Sequence, residues 1–389
     1  MREGVTYKRL GEICDTTSGG TPSKNVKEYY ENGNIPWLRS GELSQGYIHS
    51  TELFITQKGL DNSSAKIVPV NTVSIAMYGA TVGEVGIIKT PMCTNQAICN
   101  ILPNSSFIPE YLRYFLVSKK PEFINIAAGG AQPNISQAII RNTLLPLLPL
   151  STQELIVDEL DSISSVISAK KQQVLELDNL AQAIFLDTFG DPITNPKGWE
   201  IVKLGSLFSI GSSKRVYQSE WQNKGVPFYR AREVVKLARD GYVNNELFIS
   251  EELFAKYSKI YGLPQEDDIL VTAVGTLGIT YIVKKSDRFY YKDGNIICLH
   301  KNSDVNSIYV DFCFKMPFVR SQIDNWNGAT VGTYTIEKAN QTKIPLPPLS
   351  LQQAFSEKVQ AIEEQKWLIN HSIAEFESLL AQRMEFHFA

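Results

Sequence analysis

The residues best suited to chemistry in this chain are scattered, and their spacing assembles no reaction centre. There are four histidines: His49, His300, His371 and His387. None lies in an HExxH pattern, which would set two imidazoles on one helix face around zinc. The five cysteines (Cys14, Cys93, Cys99, Cys298, Cys313) form no CxxC pair. An odd, unpaired set fits reduced thiols better than a disulfide framework or a zinc site. There is no GxxxxGK[ST] loop to cradle a triphosphate. Gly79, Gly83 and Gly86 are misspaced for a dinucleotide fingerprint and read as turns around strands. Asn195-Pro196-Lys197-Gly198-Trp199 lacks the second proline and the following aromatic of an amino-methylation loop. Glu266-Asp267-Asp268 lacks the following x-Lys of a metal-dependent nuclease and reads as a solvated loop. The expectation is a binding protein with no catalytic residue, no metal and no cofactor of its own.

The elements that would position such a binding surface come in two copies. Ile35-Pro36-Trp37-Leu38-Arg39-Ser40-Gly41-Glu42-Leu43 aligns with Val226-Pro227-Phe228-Tyr229-Arg230-Ala231-Arg232-Glu233-Val234. Gly79-Ala80-Thr81-Val82-Gly83 resembles Gly275-Thr276-Leu277-Gly278, and Gln96 to Cys99 matches Asn295 to Cys298. Pro146-Leu147-Leu148-Pro149-Leu150-Ser151-Thr152-Gln153 returns as Pro345-Leu346-Pro347-Pro348-Leu349-Ser350-Leu351-Gln352. Blocks kept in order with drifting offsets mark a diverged duplication.

Each copy ends in a long predicted helix. Ser151 with Glu154, and Ser350 with Gln353, read as capping boxes, with Leu150 stapling onto Leu155. The first helix is expected from Thr152 to Phe189, closed by Gly190 and Pro192. Apolar residues then alternate at four and three. Ile156, Leu160, Ile163, Ile167, Val174, Leu177 and Ile184 make one seam. Phe355, Val359, Ile362, Ile369, Ile373, Phe376 and Leu380 make the other. A sustained 3.5-residue period predicts a coiled coil. The competing expectation is that each amphipathic helix lies on its own domain.

Short strands such as Thr72–Ala76 and Ile269–Ala273, with short helices at Pro109–Ser118 and Ser307–Lys315, make both intervening segments mixed α/β. The expected fold class is α+β. Its parts are domain 1 (1–150), a central spacer helix (151–189), domain 2 (190–349) and a C-terminal spacer helix (350–389). A chain of 389 residues supports at least two cores. It contains no 18-residue apolar run, so no membrane span is expected. Glu3, Glu12 and Asp15 argue against a signal peptide, and a cytoplasmic location is expected.

The full-length architecture resembles the specificity subunit of type I restriction–modification systems. The resemblance rests on the doubled Pro-Leu-x-Pro-Leu-Ser-x-Gln block and on Phe189-Gly190-Asp191-Pro192 followed by Asn195 to Trp199. The Ile35–Leu43 and Gly79–Gly83 blocks also look like those of its target-recognition domains. The resemblance implies that each globular domain reads one half of a split double-stranded DNA site. It implies two antiparallel helices as spacer, giving pseudo-two-fold symmetry. It implies two methyltransferase subunits and motor-nuclease restriction subunits as partners, which would use S-adenosylmethionine, ATP and Mg. A coiled-coil adaptor with two protein- or glycan-binding domains is the alternative, and it predicts no salt-dependent DNA affinity.

Duplication supplies a sorting rule for DNA contacts. Residues alike in both halves, Arg39 and Arg230, cannot distinguish two half-sites and are expected on phosphates, unless they pair locally with Glu42 and Glu233. Residues that differ at equivalent places are the better base-reading candidates. The first half offers Ser18, Thr21, Lys24, Tyr78 and Thr81 as DNA contacts, and the second offers Lys214, Arg215 and Arg232, as base or phosphate contacts, with Thr276. Gln132, Thr330 and Thr333 lie in loops expected either on the groove or phosphates or as ordinary surface turns. The formal charge of −3 does not oppose this. Residues 1–150 hold 13 basic against 11 acidic groups, and 190–349 hold 20 against 17. The helices hold the acidic excess, with 2 against 7 and 3 against 6.

Overall fold

The computed structural model describes residues 5–128, 134–324 and 332–388. Contacts divide the chain into two compact units: residues up to Gln172 with those from Asn370, and Gln173–Ile369. Each unit therefore holds one globular segment and a stretch of both long helices.

In the first unit, Thr6–Arg9 pairs antiparallel with Leu144–Leu147, tying the segment's two ends together. The main sheet runs Thr16–Ser18, Ile98–Ile101, Val73–Ala76, Val85–Ile88, Tyr47–Ile48. A second sheet pairs Ile35–Leu38 in parallel with Met92–Thr94. The strands Val73–Ala76, Val85–Ile88 and Ile98–Ile101 are buried at every position, which explains their continuous apolar runs.

The second unit repeats this plan. Glu200–Lys203 pairs with Lys343–Leu346. Its main sheet runs Phe208–Gly211, Ile296–Lys301, Ile269–Thr272, Thr280–Ile282. Val226–Tyr229 lies parallel to Tyr290–Tyr291. The predicted short helices occur at Pro109–Ser118 and Ser307–Lys315.

The long helices span Leu150–Phe189 and Leu349–Phe388, 40 residues each. Each is about 60 Å long at about 1.5 Å per residue. Their starts correct the expected capping boxes. The Pro149 carbonyl accepts from the Thr152 and Gln153 amides, and Pro348 accepts from Leu351 and Gln352. Ser151 and Ser350 therefore lie inside the first turn, because the proline carbonyls already close it. Leu155 is 70% exposed, so no buried staple forms with Leu150. The glutamines of the doubled block carry the junction instead. Gln153 Nε2 donates to the Ser106 and Leu148 carbonyls, and its Oε1 accepts from the Ile108 amide. Gln352 likewise donates to Pro347 and accepts from Asn306.

Within each unit the helix segments run antiparallel. Glu159 meets Arg383 and His387, and Lys171 meets Glu377, in the first unit. In the second, Asp178 meets Lys366 at 2.7 Å and Phe185 packs edge-on against Phe355. Every apolar seam residue named above is buried or half-buried. The helix ends also enter the domain cores. Ile156, Val157, Leu160 and Phe388 join the first core, and Phe185, Phe189 and Phe355 join the second. The coiled-coil expectation is thus met, while the expectation that each helix lies on its own domain is not, because each helix enters both cores.

Candidate nucleic-acid interface

Two glycine loops stand at corresponding places in the two main sheets. Each follows a central strand and is held by a later segment through the same backbone contacts. In the first unit Tyr78 bridges Asn134, and the Ile135 amide donates to the Met77 carbonyl at 2.9 Å. In the second, Val274 bridges Thr333, and the Tyr334 amide donates to Ala273 at 3.0 Å. Gly79 and Gly275 take φ of 69° and 80°, a left-handed turn that a Cβ would strain. The loops therefore share an opening turn and an anchoring bridge, the second being one residue shorter, and differ in side chains. Tyr78 is 44% exposed where Val274 is half-buried. Thr276 and Thr333 line one open cavity of about 390 Å³, with Arg320 and Lys338 in its wall. Thr81 folds back, its hydroxyl donating to the Tyr78 carbonyl. Gln132 and Thr330 lie outside the described residues.

The next loop pair precedes the parallel strands. Ser18 donates to Gln137 at 3.1 Å, and Thr21 donates to Gln96. Lys24 is exposed. In the second unit Lys214 is exposed, with its ammonium 5.7 Å from the Tyr261 ring. Arg215 is exposed and pairs with Asp293 at 3.1 Å.

The arginines common to both halves are engaged locally. Arg230 grips Glu233 through Nε and Nη2, at 3.1 and 2.8 Å. Burial works to raise the Glu233 pKa, but hydrogen bonds from Arg230 and Arg232 outweigh it and hold the carboxyl below its usual range. Arg232 also reaches Glu246 at 2.5 Å. Arg39 pairs with Glu52 and stands 3.8 Å from Glu42. Glu52 and Glu246 precede equivalent strands, Phe54–Ile55 and Phe248–Ile249. The carboxylate pair is thus retained in both halves, while the second cation, Arg232, is replaced by Gly41 in the first.

Arg232 opens a feature that block alignment did not reveal. It stands on the helix Ala231–Asp240, whose first-half counterpart is only the 3₁₀ turn Ser40–Gln45. Val234 and Leu237 face inward, while Arg232, Lys236 and Arg239 are exposed at i, i+4 and i+7. That spacing was present in the sequence, as a basic stripe beside an apolar one.

Two versions of one sheet module, each closed onto a segment of the same antiparallel helix pair, define a duplicated recognition scaffold. The family described as "Type I restriction modification DNA specificity domain" matches residues 2–177 and again 196–378. The chain belongs to this family. It is 27% identical over 381 residues to the type I restriction enzyme MjaIX specificity subunit of Methanocaldococcus jannaschii, covering 92% of this chain and 86% of that one. It is 30% identical over 172 residues to the EcoR124I/EcoR124II specificity subunit of Escherichia coli, covering 43% of each. A solved type I restriction–modification S subunit from M. genitalium aligns over 99% of this chain and 96% of its own, with TM-score 0.54 and 14% identity. A chain from a structure of type I system assembly and conformational transition aligns over 100% and 98%, with TM-score 0.58 and 18% identity. Among the described residues no helix is long and apolar enough to cross a membrane.

Proposed function

We propose that this chain is the non-catalytic DNA-recognition subunit of a type I restriction–modification complex in the cytoplasm. Each unit reads one half of a bipartite duplex site. The observation that carries the reading is the shared anchoring bridge with unlike side chains: the Gly79 loop on Asn134, and the Gly275 loop on Thr333. A common frame positions both halves on DNA, and differing side chains let them read different bases.

Two methyltransferase subunits and the restriction subunits dock on this scaffold and bring S-adenosylmethionine, ATP and Mg. Leu155, Leu175, Leu180 and Leu368 are exposed on the long helices and offer apolar contacts to such partners. The acidic excess of the helices and the mildly basic globular segments favour tight DNA binding only with basic partners present. Single-molecule methylome sequencing of cells with and without the chain tests the reading. A split adenine-methylation motif should vanish with the chain. An unchanged methylome, with no salt-dependent DNA affinity, would favour the protein- or glycan-binding adaptor.

A further inference from the structure

In the second unit three potential metal donors converge at the start of the main sheet: Asp268, Cys298 and His300. The strand register brings them together. Ile269 faces Leu299 and Leu270 faces Cys298, so Asp268, one step outward, faces His300. Cys298 and His300 are two residues apart and share one face of their strand. His300 Nδ1 lies 2.7 Å from Asp268 Oδ2. Cys298 Sγ lies 3.7 Å from that nitrogen and 4.0 Å from that oxygen.

The fold does not require this trio. In the first unit Ile101 faces Val73 as Leu299 faces Ile269 here, so the same register positions are Thr72, Asn100 and Leu102. A threonine, an asparagine and a leucine stand there, with no thiol, imidazole or carboxylate, and the architecture is kept. In the second unit a carboxylate and a thiol are buried, at 3% and 0% exposure. Backbone amides support the carboxylate: Gln265 donates to Oδ2 at 2.7 Å and Lys301 to Oδ1 at 2.9 Å. Such contacts orient a ligating carboxylate in known metal sites. The imidazole is 36% exposed, which leaves an entry path.

We propose that Asp268, Cys298 and His300 bind one divalent transition-metal ion of the zinc class. The three separations admit a common point about 2.1 Å from oxygen and nitrogen and about 2.3 Å from sulfur. The angles at that point are about 80°, 115° and 130°, and opening the nitrogen–oxygen edge by about half an ångström brings them toward tetrahedral. Mixed nitrogen, oxygen and thiolate donors select zinc over magnesium or calcium. Binding displaces the thiol proton to solvent, and the neighbouring cation then holds the thiolate. The ion cross-links two adjacent strands of the second unit.

The test is metal analysis of the full chain expressed in zinc-replete medium, followed by cobalt(II) substitution. The expected result is about one zinc per chain and a cobalt–thiolate charge-transfer band. Cys298→Ser should abolish the band, and Cys99→Ser, in the first unit's core, should keep it. His300→Gln alters a partly exposed side chain, and circular dichroism will show whether it folds. It should lower metal affinity about ten-fold or more. Wild-type chain with substoichiometric zinc and no thiolate band would overturn the proposal. So would an unchanged cobalt spectrum in Cys298→Ser. Neither outcome depends on whether the chain reads DNA.

Discussion

Replacing Gln352 by alanine removes the side chain that joins the second globular segment to its long helix. Gln352 is 1% exposed. Its Nε2 donates to the Pro347 carbonyl at 2.7 Å and its Oε1 accepts from the Asn306 amide at 3.0 Å. Alanine leaves two backbone groups without these partners, at about 1–3 kcal/mol for each group left unsatisfied. Allowing for water entering the space, the expected loss is about 2–4 kcal/mol. Gln352→Glu is the sharper companion. It keeps an acceptor for Asn306 but sets a carboxylate oxygen against the Pro347 carbonyl. Urea denaturation measures the total loss, and hydrogen exchange reads the Asn306 amide. That amide should lose protection in Gln352→Ala and retain it in Gln352→Glu. Gln153→Ala should expose the Ile108 amide in the same way. A loss below about 0.5 kcal/mol, the size of a neutral surface change, with the Asn306 amide still protected, would refute the clamp.

Arg232→Ala should relax the second half-site alone, by about 1–3 kcal/mol if the contact is bidentate; methylome sequencing reads the letters, and equal weakening on every sequence would make it a phosphate contact. Arg230→Ala should cost about 3 kcal/mol in urea denaturation, because it removes a bidentate partner from the buried Glu233 carboxylate. The folded Glu233 pKa is depressed. Its contribution is therefore complete above the unfolded value, about 4.3, and is lost as pH falls through the lower folded value. Arg230→Ala should flatten that acid-side loss, which a pH series of melts will show. Four residues added within the seam of each long helix lengthen it by about 6 Å. The gap between half-sites should widen while the letters stay; changed letters with a fixed gap would refute the spacer.

The duplication makes the fold legible in the sequence. Pro109–Ser118 and Ser307–Lys315 stand as helices at the expected bounds, because Pro109 in the first turn of one, the Asn306 cap of the other and apolar periodicity define them locally. The helix starts differ from the expectation because Ser151 and Glu154 satisfy a capping pattern that the Pro149 carbonyl pre-empts. The candidate surface was only partly readable. Exposed Lys24, Lys214 and Arg215 followed from unlike loops. Engagement of Arg230 by Glu233 followed from their spacing. The Asp268–Cys298–His300 convergence did not, since it depends on strand register across 30 residues of chain. Tyr111 and Tyr309 show the other side of the repeat: each hydroxyl donates to the Pro146 or Pro345 carbonyl at 2.8 Å. Residues doing the same work in both units hold the scaffold.

The same comparison identifies a place where one half lacks what the other has. Glu42 and Glu52 repeat Glu233 and Glu246, but Gly41 stands where Arg232 would. Glu42 is 6% exposed, and its Oε1 is buried without a hydrogen bond. Gly41 has no positive φ, and a Cβ built there meets nothing within 4 Å. Gly41→Arg therefore adds a side chain into open space beside two carboxylates. If its guanidinium pairs as Arg232 does, a charge-assisted hydrogen bond to Glu42 should stabilise the first unit by about 1 kcal/mol, with the exposed contact to Glu52 adding little. Urea denaturation measures that gain. The methylome should show altered first half-site letters and an unchanged second half-site. Destabilisation would mean that the two carboxylate pairs are not equivalent. A stabilised variant with unchanged letters would place this corner of the fold away from the bases.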